Sequence, residues 1–234
     1  MILLALDTSE KSQSLALIQD DHLLAQRHAS QPSSHGEELL SHLESLFQDS
    51  ALGLDQVDAI ALTIGPGSFT GLRIAVSTVK GLAVAKNIPV IPVGTLQALA
   101  APYLADHPWV APCLDARMGQ VYGAVYSQGD AEGLPKEVQA PAPMEINEFS
   151  RNISALSPGG IVVGSGLATY PALGKGAKTD PKAVVQAPWV ARIAAVLYKD
   201  GKVLAGHELQ PTYLRLSTPE LRLLERTGVS AKKP

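Results

Sequence analysis

The pattern of this chain runs twice, and that repetition restricts the fold more than any single motif. Leu3-Leu4-Ala5-Leu6-Asp7-Thr8-Ser9 aligns without a gap on Ala111-Pro112-Cys113-Leu114-Asp115-Ala116-Arg117, a constant offset of 108 positions. At the same offset Ser14 to Ile18 falls on Tyr122 to Tyr126, a second segment with the alternation of a hairpin arm. Ile161-Val162-Val163-Gly164-Ser165-Gly166 repeats the strand and G-x-G turn of Leu62 to Gly67 at an offset of 99. Matches in the same order predict a duplicated unit of three strands, a helix, a strand, a helix, a strand and a helix. The expected divisions are an N-terminal lobe over 1–104, a C-terminal lobe over 105–216 and a tail over 217–234. Two such lobes face each other across a cleft, with Asp7 and Asp115 each at a strand end.

Within the first unit, Ile2 to Leu6, Ser14 to Ile18 and Leu23 to Arg27 read as strands. Ser34 and Glu37 have capping-box spacing and open a helix to about Phe47, with Leu39, Leu40, Leu43, Leu46 and Phe47 on one face. Val57 to Ile64 is a strand that feeds Gly65-Pro66-Gly67-Ser68-Phe69-Thr70-Gly71, and a helix runs from Leu72 to Lys86. Pro89 to Val93 is a further strand, and Thr95 to Leu104 another helix. No Asp or Glu occurs between Ala59 and Ala105, where Arg73, Lys80 and Lys86 are the only fixed charges. A glycine-rich turn into a helix N-terminus suits an anion. It is equally a tight turn with permissive glycines and a Ser68 or Thr70 cap. The P-loop spacing fails because Leu72-Arg73 stands where a lysine is needed, and the dinucleotide fingerprint fails because its third glycine comes one place late.

Composition removes several functions. A net charge of −3 disfavours unaided nucleic-acid binding. The apolar start, Met1 to Leu6, is too short for a signal peptide or a membrane span. Cys113 is the sole cysteine, in a segment that reads as a buried strand, so packing is expected there and not nucleophilic chemistry. A reducing cytoplasm is the expected compartment. His35 and His42 are two helical turns apart, about 10 Å, too far for one ion. His22, His28, His107 and His207 show no ligand spacing.

Leu6-Asp7-Thr8-Ser9, Gly65 to Arg73, Asp115-Ala116-Arg117-Met118-Gly119-Gln120-Val121-Tyr122 and Pro211-Thr212-Tyr213-Leu214-Arg215 together carry a resemblance. The chain resembles the TsaB (YeaZ) family from Ile2 to about Leu216, least between Gln128 and Gly159. The resemblance implies an α/β actin-like ATPase (ASKHA) fold of two ribonuclease-H-like lobes with mixed five-stranded sheets. It implies a non-catalytic scaffold and activator in threonylcarbamoylation of the adenosine beside the tRNA anticodon. It further implies a partner enzyme of the same fold, TsaD, an ATPase, TsaE, and contact with tRNA only through the assembled complex.

The catalytic relative binds metal through an H-x-x-x-H pair after a strand ending I-P-V-I-x-V. Here Ile88 to Val93 is followed by Gly94-Thr95-Leu96-Gln97-Ala98-Leu99, so Thr95 and Leu99 stand at the ligand positions, and neither suits zinc or iron. Actin-like kinases carry Asp-x-Gly-Thr/Ser after the first strand of each lobe. Asp7-Thr8-Ser9 and Asp115-Ala116-Arg117 lack that glycine. No catalytic residue, metal or cofactor is therefore expected. The alternatives are an actin-like small-molecule kinase and a metallopeptidase-like enzyme.

A fold without chemistry presents a surface. The resemblance places the TsaD contact, and a homodimer contact competing for it, on the helices from His35 and from Leu72. The expected interface residues are Leu39, Leu43, Leu46, Ser68, Phe69, Leu72, Arg73, Val76, Val79, Lys80 and Ala83. Gly81 in mid-helix costs about 1 kcal/mol relative to alanine. Close approach of a partner helix and packing on its own sheet explain it equally well. Lys232 and Lys233 could reach tRNA, or lie in a solvated end.

Overall fold

The computed structural model describes residues 1–30, 35–129 and 134–215. The first sheet contains β1 (Ile2–Asp7), β2 (Gln13–Gln19), β3 (His22–Ala29), β4 (Ala59–Thr63) and β5 (Val90–Val93) in the order β3-β2-β1-β4-β5. The second contains β6 (Trp109–Arg117), β7 (Gln120–Ser127), β8 (Lys136–Glu145), β9 (Ile161–Val163) and β10 (Lys178–Asp180) in the order β10-β9-β6-β7-β8. Each begins with an antiparallel meander and continues with two parallel strands. The helices are α1 (His35–Ser50), α2 (Phe69–Lys86), α3 (Thr95–Ala100), α4 (Ile146–Ser154), α5 (Ser165–Thr169) and α6 (Ala187–Lys199). The duplicated unit expected from the sequence is therefore present twice, in full, and the two mixed sheets are those of ribonuclease-H-like halves in an actin-like ATPase fold.

Alternation along the strands sorts the core into layers. Leu4, Leu6, Leu15, Leu17, Ile60 and Leu62 point to one face, under α1 and α2. Leu3, Ala5, Ala16, Ile18, Ala59 and Ala61 point to the other, where α6 packs with Val190, Ile193 and Ala194. Both faces are covered, so β1, β4 and β5 carry continuous apolar runs. α3 lies on β6 and β7 and touches α6, so these two helices fill the space between the sheets. α4 and α5 cover the far face of the second sheet around Phe149.

Local signals end the helices where physics expects. α2 opens on Ser68, whose hydroxyl accepts from Gly71 N, and closes on Asn87 in the left-handed region at φ 53°. α3 stops at Ala100 and passes into a 3-10 turn, Ala101–Tyr103, that contains Pro102, so it is shorter than the expected helix to Leu104. The Ser34–Glu37 capping box and the tail with Lys232 and Lys233 lie outside the described residues and side chains. Gln128 to Gly159, for which the sequence offered no account, supplies β8 and α4. Among the described residues no helix is long and apolar enough to cross a membrane.

Candidate functional site

Gly65 to Gly71 lies at the C-terminal edge of β4, where open α/β sheets place ligands. Here the loop is filled by the chain's own backbone. A Cβ on Gly71 would run into the carbonyl oxygen of Thr8, one on Gly67 into that of Ser9, and one on Gly65 into that of Thr212. The approach is fastened by hydrogen bonds. Ser68 N donates to Ser9 O at 2.6 Å, and Thr212 N donates to Ile64 O at 2.7 Å. Thr8 Oγ1 donates to Gly71 O at 2.8 Å. The glycines thus accommodate three carbonyls, whose partial negative charge disfavours an anion in the same groove. Of the two uses open to this turn, the structure supports the capped turn, with Ser68 and not Thr70 as the cap.

Arg73 is engaged as well. Its guanidinium lies 3.8 Å over the Phe69 ring, and its Nε–H donates to Tyr213 Oη at 2.9 Å. Phe69 and Tyr213 stack at 4.8 Å. The segment from Pro211 to Arg215 is therefore a strap across the loop. It continues to the second sheet, where Arg215 donates to Ala116 O at 3.2 Å and to Met118 Sδ at 3.0 Å.

The paired aspartates differ. Asp7 is buried, and its Oδ1 accepts from Ser9 Oγ at 2.6 Å, Thr63 Oγ1 at 2.5 Å and Ser9 N at 3.3 Å. Burial pushes its carboxyl up to about 6, against the pull of those donors. Asp115 is more open; its Oδ1 accepts from Arg117 N at 2.8 Å and its Oδ2 from Thr169 Oγ1 at 3.3 Å. Beside Asp7 stands Glu10, which the sequence analysis overlooked. Its Oε1 accepts from Ser165 Oγ of α5, and its Oε2 is buried without a partner among the described residues. Burial pushes Glu10 up to about 7; the Ser165 bond opposes this and the Asp7 charge adds to it. Its spacing of three from Asp7 was the available signal.

The positions of the relative's metal ligands are packing sites here. Leu99 is fully buried in the central layer, and Thr95 is fully buried beside it, its Oγ1 without a hydrogen-bond partner among the described residues. His42 Nδ1 sits 3.2 Å from Gln13 Oε1. Among the described residues no group of three or more His, Cys, Asp or Glu side chains is placed to hold a metal ion. Cys113 is buried in β6, and burial pushes its thiol up to about 12, so almost no thiolate forms at neutral pH.

Seven of the expected interface residues need correction. Leu39, Leu43, Leu46, Leu72, Val76, Val79 and Ala83 are buried in the chain's own core. The apolar stripes of α1 and α2 face the sheet they cover, because a sheet face that lacks such cover would expose Leu4, Leu6 and Leu62. Leu46→Ala should therefore lower stability by about 2–5 kcal/mol, read by denaturant unfolding, as a core deletion does. The outward side holds Arg73, exposed, with Ser68, Phe69 and Lys80 partly so. It also holds Leu40, which the sequence places on the apolar face of α1 but which is 58% exposed, and Val84, one position past the α2 stripe, at 64%. Gly81 is exposed, and a Cβ there would meet nothing within 4 Å. Packing against its own sheet does not explain that glycine.

Known proteins share this architecture. The model of the family described as TsaD, tRNA N6-adenosine threonylcarbamoyltransferase, matches residues 22–188. The tRNA threonylcarbamoyladenosine biosynthesis protein TsaB of Escherichia coli K12 is 32% identical over 92% of this chain and 95% of its own. TsaB of Haemophilus influenzae is also 32% identical, over 92% of this chain and 94% of its own. The solved structure of YeaZ from Pseudomonas aeruginosa superposes with a TM-score of 0.79 at 28% identity, covering 91% of this chain and all of that one.

Proposed function

The chain belongs to the TsaB family of tRNA threonylcarbamoyladenosine biosynthesis proteins, and on that premise we propose that it is a non-catalytic scaffold and activator. It docks on the TsaD-type transferase, holds that enzyme in a competent conformation, and reaches tRNA only through the assembled complex. A TsaE-type ATPase serves turnover. The compartment is the cytoplasm, and residues 1–104 form the lobe that docks.

The observation that carries this is the filled glycine loop. With the carbonyls of Thr8, Ser9 and Thr212 seated against Gly71, Gly67 and Gly65, no groove is left there for phosphates. Asp7, the one aspartate at a sheet's C-terminal edge in the first half, already has its Oδ1 occupied by three donors. The kinase alternative requires those carbonyls to withdraw, and the metallopeptidase alternative requires ligands where Thr95 and Leu99 pack.

What remains available is the outward side of α1 and α2, with Leu40, Val84 and the open Gly81. A helix laid across Gly81 can approach more closely than across any larger residue. A two-fold homodimer through this side would set four helices together and bury on the order of 800 Å² per subunit. Homodimer and heterodimer then compete for one surface.

Reconstitution decides the matter. Transferase, ATPase, carbamoyl donor and tRNA should yield modified tRNA only when this chain is added, and the chain alone should yield none. Equal rates with and without it would refute the scaffold role. Tight ATP binding by the isolated chain, measured by calorimetry, would favour the kinase.

A further inference from the structure

Glu10 is a carboxylic acid in an unusual place. It follows β1 of the first sheet, yet its Oε1 takes the hydroxyl hydrogen of Ser165, the first residue of α5 on the second sheet. The two residues are 155 positions apart, so the bond ties one half of the molecule to the other. The other oxygen, Oε2, is closed off from solvent and has no hydrogen-bond partner among the described residues. Glu10 makes no ion pair among them either. A carboxylate held by one hydroxyl, with its second oxygen bare, is costly to bury, whereas a neutral acid is far less so.

The groups that face Glu10 reinforce this. From β1 comes Asp7, itself buried and able to carry negative charge, and from β6 comes Cys113, whose thiol stays neutral. From α5 comes only the Ser165 hydroxyl. No cation among these offsets a charge on Glu10. The first half cannot simply yield at this point, because Ser9, next in the chain, is fastened through its carbonyl to Ser68 N and through its hydroxyl to Asp7. Relief therefore comes on the side of Ser165.

We propose that Glu10 is a protonation-dependent clasp between the segment after β1 and the start of α5. As the neutral acid it holds Ser165 and keeps the two halves joined at this point. As the carboxylate it turns out to water, releases Ser165 and lets the start of α5 move. The sign follows from burial: Glu10 binds its proton more tightly in the closed form, about 7, than at its ordinary 4.5. Closure is therefore fully favoured below the ordinary value, weakens as pH rises between the two, and is lost above the higher one. The clasp does not depend on the docking role, since neither Glu10 nor Ser165 lies on α1 or α2.

Two measurements on the whole chain test it. Carboxyl carbon NMR should show Glu10 titrating near 7, and the signal is assigned by its loss in Glu10→Gln. Hydrogen exchange, corrected for intrinsic pH dependence, should show protection of the amides of 164–169 falling by up to about tenfold per pH unit as pH rises from the ordinary 4.5 to about 7, and levelling off above it. In Glu10→Gln the amide keeps an acceptor for Ser165 and cannot ionise, so protection should stay high throughout. In Ser165→Ala it should be low at both ends of the range. Asp7→Asn, which keeps an acceptor for Ser9 and Thr63, should leave the pH dependence in place. A Glu10 that titrates at its ordinary value, a Glu10→Gln chain that still loosens with pH, or a dependence abolished by Asp7→Asn would each overturn the clasp.

Discussion

Val84→Asp should abolish docking on the transferase and self-association while leaving the fold intact. Val84 is 64% exposed on α2, so its removal takes little from the core, and stability should shift by less than about 0.5 kcal/mol. In a helix–helix interface the same carboxylate would be dry and unpaired. Losses at such central positions run to roughly 2–4 kcal/mol, or about 30- to 1,000-fold in affinity. Calorimetry against the transferase and sedimentation of the chain alone provide the two readouts, with thermal unfolding as the control. Gly81→Ala is the companion. With nothing within 4 Å of the added methyl, it should stabilise the isolated chain by up to about 1 kcal/mol through helix propensity. It should nonetheless weaken docking, because a partner helix can no longer come as close. Full affinity in Val84→Asp would remove this face of α2 from the interface. Loss of one association without the other would separate two surfaces that are proposed to be one.

The duplication was readable because it is carried by continuous apolar runs. Leu3 to Leu6 and Ala59 to Thr63 are buried on both faces, and their echoes from Ala111 and Ile161 follow in the same order, at offsets of 108 and 99. Helix faces were harder. Leu72, Val76, Val79 and Ala83 make a stripe whether it meets a partner or the chain's own sheet, and the stripe says nothing about which. Only the three-dimensional fact that β1, β2 and β4 need cover decides it, and it sends the stripe inward. Val84, one position off the α2 stripe, and Leu40, which the period had put on the α1 stripe, are left outside by the geometry. Long-range fastening was invisible for a different reason. Tyr213 on Arg73, Thr212 against Gly65 and Ser165 on Glu10 each join segments more than a hundred residues apart, and no local periodicity records such pairs. The helix α6 likewise follows the second sheet in sequence but packs on the first. The order of elements alone does not show that the halves exchange cover in this way.

Gly71→Ala should be among the most damaging single-methyl additions in this chain. Gly71 sits in the first turn of α2, with the Thr8 carbonyl where a methyl would go and the Thr8 hydroxyl bonded to its own carbonyl. Neither side is free to give. If the helix lifts, Ser68 N leaves Ser9 O and the Ser68 cap on Gly71 N is strained. If the Thr8 segment retreats, Asp7 is pulled away from Thr63 while still buried. Overpacking of about 1–3 kcal/mol, together with one or two hydrogen bonds of about 1 kcal/mol each, gives a loss of roughly 2–5 kcal/mol. For a chain of this length that lowers Tm by about 10 °C, and calorimetric unfolding measures it directly. The size of the effect discriminates between the two uses of the loop. A glycine kept open for a phosphate would cost ligand affinity when filled and leave the ligand-free Tm nearly unchanged. A glycine that seats the chain's own carbonyl costs stability with no ligand present. A Tm within a degree or two of the parent would mean that the carbonyls are not held in the loop, and the principal physical ground for a scaffold without a phosphate site would go with them.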